Sequence, residues 1–218
     1  MEKIYSTIPP DKIPWNMETP PGILRGLVDS GKIKPCKVIE LGCGAGNYII
    51  YLSTKGFDPT GVDIAASAID IAKKSAAEKG IKCNFITADV LGDMIEINEL
   101  FDLAYDWEVL HHIFPEDREK YISNVYKLLK PGGQYLSVCF SEDSLQFGGK
   151  GKYRKTPLGT VLYFSSEDEM RSLFYPSFEI EELKTVDIEG KFGFHKAIYA
   201  LLKKADNKSC GECHRTLF

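Results

Sequence analysis

The stretch from Val38 to Asn47 reads VIELGCGAGN and sets three glycines, Gly42, Gly44 and Gly46, directly behind a short apolar run. A glycine inside regular structure costs up to about 1 kcal/mol, so such a cluster needs a reason. Between a strand and a helix, the usual reason is a ligand lying against the backbone. N–H groups and the helix N-terminus can there meet a carboxylate or phosphate. Two acidic residues follow in order. Asp63, in TGVDIAASAIDIAK, ends the next apolar run about 20 residues on, where a carboxylate can hold both hydroxyls of a ribose. Asp89, in FITADVLGD, ends the run after that and can accept from the exocyclic amine of an adenine. A dinucleotide fingerprint would continue as G-x-G-x-x-G; Asn47 stands where its last glycine would fall, which counts against a nicotinamide or flavin cofactor.

These residues need strand ends to hold them, and the chain supplies them. Apolar runs at Lys37–Leu41, Pro59–Val62, Cys83–Ala88, Phe101–Tyr105, Tyr135–Phe140, Glu179–Asp187 and Ala197–Leu202 predict strands. Helical patterns lie between or beside them at Gly22–Ser30, Gly46–Thr54, Ala65–Lys79, Pro115–Leu129 and Ser166–Phe174. Pro131-Gly132-Gly133 reads as the terminator of the fourth helix, and Ser165 or Ser166 before Glu167, Asp168 and Glu169 as the start of the last. The proline-rich residues 1–20 read as an irregular arm. Strands alternating with helices imply an α/β fold, a mostly parallel sheet with helices on both faces, which binds ligands at the carboxyl ends of its strands.

In order, ELGCGAGNYIIYLS, GVDIAASAIDIAK, ITADV, FDLAYDWEVLHHI and LLKPGGQYLSV closely resemble the motifs of class I S-adenosylmethionine-dependent methyltransferases, from about Lys37 to Phe140. The resemblance implies a Rossmann-like seven-stranded sheet whose last strand is antiparallel, and S-adenosyl-L-methionine as cofactor. Carried over by position, it implies that Gly42, Cys43 and Gly44 line the methionine part, with Gly46 and Asn47 close behind. Asp63 would hold the ribose and Ile64 would face the adenine, whose edge would meet Asp89 and Val90. Tyr105 and Asp106 would lie near the methionine amine and the transferred methyl, and Glu40 would orient the amino-acid end through water.

The flanks bear on the acceptor. IPPDKIPWNMETPPGILRGLV resembles the N-terminal arm of the thiopurine, halide and thiol methyltransferases, which implies that Trp15 covers the cofactor. SEDSLQFGGKGKYRKTPLGTVLYFS, basic and glycine-rich, reads as a lid over 141–164, with Tyr153 and Arg154 as substrate contacts; an Arg there can hold a small anion bidentately. Because a sulfonium donor is already activated, catalysis is largely in-line alignment and exclusion of water. A thiolate or halide acceptor needs no strong base, whereas a hydroxyl or amine can; Asp106, His111, His112 and His195 are the groups available.

The expected organisation is one methyltransferase domain over 1–204 and a flexible tail over 205–218 containing Cys210, Cys213 and His214. A net charge of -4 disfavours a general nucleic-acid binder. No apolar run approaches the roughly 20 residues of a bilayer span. The start has no apolar leader, so the six cysteines read as reduced thiols of a cytoplasmic protein. No metal site is assigned. The expectation is a monomeric enzyme acting on a small-molecule thiol, halide, chalcogen or metalloid. An RNA or protein methyltransferase, a non-catalytic S-adenosylmethionine-binding protein and a nicotinamide oxidoreductase are the rival readings.

Overall fold

The computed structural model describes residues 1–205; Cys210, Cys213 and His214 lie outside the described residues. In chain order the elements are α1 (Glu2–Thr7), α2 (Gly22–Asp29), β1 (Lys37–Leu41), α3 (Asn47–Thr54), β2 (Asp58–Asp63), α4 (Ala66–Glu78), β3 (Asn84–Thr87), β4 (Phe101–Trp107) and α5 (Pro115–Leu128). They continue with β5 (Leu129–Phe140), β6 (Tyr153–Lys155), β7 (Val161–Tyr163), α6 (Glu167–Phe174), β8 (Phe178–Gly190) and β9 (Gly193–Lys204). A seven-stranded sheet runs β3-β2-β1-β4-β5-β9-β8, parallel except for β9, which is antiparallel to both its neighbours. This is the Rossmann-like sheet expected, with the last strand reversed. Chain order reverses at β1 and β4, so the crevice above their carboxyl ends is the place for a ligand.

Apolar layers cover both faces. Tyr105, Trp107, Leu136, Val138 and Tyr199 pack on one side with Leu24 and Leu27 of α2 and Leu52 of α3. Ala104, Tyr135, Cys139 and Ile198 pack on the other with Tyr121, Ile122 and Val125 of α5 and Phe174 of α6. The capping box of α6 forms as its sequence signals: Ser166 accepts from the Glu169 N–H, and Glu169 accepts from the Ser166 N–H.

Three segments differ from expectation. The arm is not wholly irregular: Glu2–Thr7 is helical and packs on α4 through Tyr5, which joins Ile13, Ala65 and Ala68 in a small apolar cluster. Pro131-Gly132-Gly133 does not interrupt the chain between α5 and β5. Leu129 already pairs with Phe101, and the three residues lie, with Lys130, in an irregularity opposite Asp102 before the ladder resumes at Leu103–Gln134. Glycine suits that irregularity, since Gly132 has φ +70° and a Cβ on Gly133 would press on the Asp102 carbonyl at 3.2 Å. Finally, segment 141–164 contains an antiparallel pair, β6 with β7.

Candidate active site

The glycine turn is shaped by what packs on it. All three glycines have positive φ, and a Cβ on Gly42, Gly44 or Gly46 would meet Val109 Cγ2 at 2.3 Å, the Tyr5 hydroxyl at 2.5 Å or the Phe85 ring at 2.7 Å. Several of the turn's N–H groups are spent within the protein, contrary to the picture of an open anion cradle. Gly42 and Cys43 donate to the Val62 carbonyl at 2.7 and 2.8 Å, and Gly46 donates to Cys43. Gly44 donates to Asp63 Oδ2 at 2.9 Å, while Ala65 donates to Asp63 Oδ1 at 2.8 Å. The Cys43 side chain is buried against Gly61.

Asp63 is therefore fixed from both sides, yet each carboxylate oxygen keeps lone-pair capacity for a diol. Burial raises its pKa and the two N–H bonds oppose that rise. Ile64 beside it is 57% exposed, an apolar face offered to a flat ring. Asp89 is exposed and turns its own loop by accepting from the Leu91 N–H at 2.9 Å. Asn124 of α5 braces that loop through the Val90 and Gly92 carbonyls, both at 3.0 Å.

At the end of β1, Glu40 is 2% exposed, and its Oε2 has no hydrogen-bond partner; nor has the hydroxyl of Tyr105 on the neighbouring strand. Burial holds Glu40 well above the usual carboxylate range; the nearby Tyr105 hydroxyl opposes that rise, and Asp63 and Asp106 add to it. A buried acid with an orphaned oxygen beside the glycine turn fits a cationic ammonium group.

The arm lies over this crevice. Trp15 Nε1 donates to the Tyr5 hydroxyl at 2.8 Å, and Asn47 Nδ2 to Asn16 Oδ1 at 2.8 Å. Lys191, at the tip of the β8–β9 hairpin, donates to the carbonyls of Asp11 and Ile13.

Two expected catalytic groups are placed elsewhere. Strand alternation turns Asp106 to the face opposite Tyr105. There it is wholly buried and accepts from Tyr121 at 3.1 Å, Ser137 at 3.3 Å and Tyr135. Burial pushes it up to about 6. It is a core acid, not a contact to the reacting atoms. Arg154 is 3% exposed and donates to the carbonyls of Glu142, Ser144, Gln146 and Gly151 at 2.8, 2.5, 3.1 and 2.9 Å, with its guanidinium 3.9 Å over the Phe164 ring. Four of its five N–H groups are taken up by backbone, so no bidentate fork is left to hold an anion. Tyr153 does stay accessible, 56% exposed, against Phe114 and Tyr163.

Residues 38–133 match the family described as "Methyltransferase domain". That segment, a little under half of the chain, is similar to a methyltransferase domain. The chain is 29% identical over 130 residues to 2-heptyl-1-hydroxyquinolin-4(1H)-one methyltransferase of Mycobacteroides abscessus, covering 59% of this chain and 56% of that one. It is 29% identical over 129 residues to thiocyanate methyltransferase 1 of Brassica oleracea, covering 58% and 56%. The chain thus spans little more than half the length of these relatives. A solved structure titled for the conversion of a disulfide bond into a thioacetal group during echinomycin biosynthesis superposes with TM-score 0.80 at 22% identity, over 95% of this chain and 92% of that one. Structures of this fold have been solved with S-adenosylmethionine or S-adenosylhomocysteine bound. The residues present have chemistry that fits S-adenosylmethionine: Glu40 would suit the ammonium, Asp63 the ribose, and Ile64 and Asp89 the adenine. Among the described residues, no helix is long and apolar enough to cross a membrane.

The residues that sequence reasoning passed over are Tyr5, Glu108, Val109 and Asn124. Only Glu108 carried a signal, an acid directly behind the fourth strand in DWEVLHH.

Proposed function

We propose that the protein transfers the methyl group of S-adenosylmethionine to a small-molecule nucleophile, with sulfur favoured. The observation that carries the reading is the arm: Tyr5 and Trp15, hydrogen-bonded to each other, lie over the glycine turn, a cover that suits a small acceptor better than a macromolecule. The aromatic cluster of Phe140, Phe147 and Phe164 at the end of β5 supports it, since polarizable sulfur packs well against rings. The thiocyanate methyltransferase and the thioacetal-linked structure are both named for sulfur chemistry. Segment 141–164 acts as the lid, with Tyr153 meeting the acceptor. Residues 1–204 work as one monomeric, cytoplasmic domain, and the net charge of -4 weighs against RNA.

The test is calorimetry with S-adenosylmethionine, S-adenosylhomocysteine and NAD, followed by a transfer assay with small thiols, iodide and thiocyanate. Micromolar binding of the first two and methylation of at least one acceptor support the reading. Binding without transfer to any acceptor points to a sensor or to a macromolecular substrate, and binding of NAD alone to a reductase.

A further inference from the structure

One titratable pair outside the cofactor crevice has no place in the account above. Glu108 directly follows β4 and holds φ +62°, a backbone conformation costly for a residue with a Cβ. Its Oε1 lies 2.5 Å from Nε2 of His195, which enters from β9, with side-chain exposures of 18% and 7%. The strain at Glu108 is thus coupled to a contact between residues 87 positions apart. The next residue, Val109, is the one that packs on Gly42, so the pair stands one residue from the turn that lines the methionine end of the cofactor.

Its surroundings are aromatic and largely shielded from water, unlike those of a surface ion pair. The His195 ring is 4.7 Å from that of Phe140, and Phe140 is 4.7 Å from His111, 6.0 Å from Phe147 and 4.9 Å from Phe164. His111 is 3% exposed and its Nδ1 has no hydrogen-bond partner. Phe147, in the lid segment, also has positive φ, 53°. The titratable groups facing the pair are His111 behind β4, Tyr48 of α3 and Cys139 of β5; Lys196 beside His195 on β9 is engaged with Asp187 instead.

We propose that Glu108 and His195 form the base that deprotonates the acceptor, and therefore that the acceptor arrives as a neutral, apolar thiol rather than as a halide or thiocyanate anion. This rests on the methyl-transfer reading above. With Nε2–H donated to Glu108, the Nδ1 lone pair is left to take the proton. The S–H bond breaks as that proton passes to Nδ1. The sulfur pair forms the new S–CH3 bond while the donor's CH3–S⁺ bond breaks, leaving S-adenosylhomocysteine and a protonated His195. A cysteine-like thiol is only a few per cent thiolate at neutral pH and a simple alkyl thiol still less, so such a base is worth having, whereas an anionic acceptor gains nothing from it.

The experiment compares benzyl mercaptan and iodide as acceptors for the full chain and for His195→Asn and Glu108→Gln. S-adenosylhomocysteine formation is followed from pH 6 to 9.5, and cofactor affinity is measured in parallel. The expected result is that the ratio of thiol to iodide turnover near pH 7 falls at least tenfold in His195→Asn and less in Glu108→Gln. The loss shrinks as pH approaches the thiol's own pKa, and the cofactor Kd stays within about twofold. In the unaltered protein, kcat/KM for the thiol shows an ionisation that the iodide profile lacks. An unchanged ratio in both variants, or identical pH profiles for the two acceptors, overturns the base while leaving methyl transfer standing. No transfer to either acceptor by the unaltered protein overturns both.

Discussion

The indole N–H of Trp15 donates to the hydroxyl of Tyr5 at 2.8 Å, joining two parts of the arm directly above Gly44. Burial and the neighbouring Asp63 raise the Tyr5 pKa far beyond its ordinary value, so the hydroxyl stays protonated and has a proton of its own to give. Tyr5→Phe removes the acceptor and leaves the indole N–H without a partner. A neutral hydrogen bond is worth about 1 kcal/mol, so S-adenosylhomocysteine should bind roughly fivefold more weakly and leave faster. Stopped-flow displacement reads both quantities, and an unaltered off-rate would show that the arm does not retain the cofactor.

Asp63→Ala should weaken cofactor binding by about 1–3 kcal/mol and also lower stability, because the Gly44 and Ala65 N–H groups lose their acceptor. Asp63→Asn keeps one acceptor oxygen and should fall between. Calorimetry paired with thermal unfolding separates the two effects; full affinity in the Ala variant would remove Asp63 from the site.

Glu40, held well above the carboxylate range by burial, is the group whose protonation binding should change. A bound ammonium favours the ionised form, so binding should release a proton and affinity should rise with pH through the raised pKa of Glu40. Titrations in buffers of different ionisation enthalpy count that proton. Glu40→Gln should abolish its release, and an equal count in both proteins would assign it to another group.

Asp106, raised to about 6 by burial, stabilises the fold in its protonated form. That contribution is complete below the unfolded-state pKa near 3.9 and is lost as pH rises through about 6, a change of roughly 3 kcal/mol. Asp106→Asn should lack this step, so its melting temperature relative to the parent should climb between pH 5 and 7. A constant difference across that range would mean that Asp106 is ionised throughout.

Arg154→Ala should leave four loop carbonyls without their donor and cost about 3 kcal/mol, with faster proteolysis inside 141–164. Cofactor affinity should be spared. Lys has three donors in a different geometry and should rescue only part of the loss. A variant of native stability and lower turnover would restore Arg154 to the substrate.

Sequence was a good guide wherever chemistry and periodicity coincide. The strand ends carrying Glu40, Asp63 and Asp89 are fixed by apolar runs, and the acids fall where those runs stop. It was a poor guide where a polar side chain is consumed by backbone. Nothing in KGKYRK distinguishes an arginine gathering four carbonyls from one awaiting an anion, because the carbonyls of Glu142 and Ser144 have no residue-type signature. The direction of Asp106 follows from strand alternation, but its Tyr121 and Tyr135 partners come from α5 and β5 and appear only on packing. The helix at Glu2–Thr7 is too short to persist alone and owes its order to α4.

Lys191 reaches back across 180 residues to the carbonyl of Asp11. A segment made early is thus secured by a hairpin made about 180 residues later. At ordinary rates of synthesis, about 5–20 residues per second, the sheet order up to β5 can assemble several seconds before the clasp exists. A nascent chain can build the floor of its cofactor site early, but it can shut the roof only once the β8–β9 hairpin has emerged.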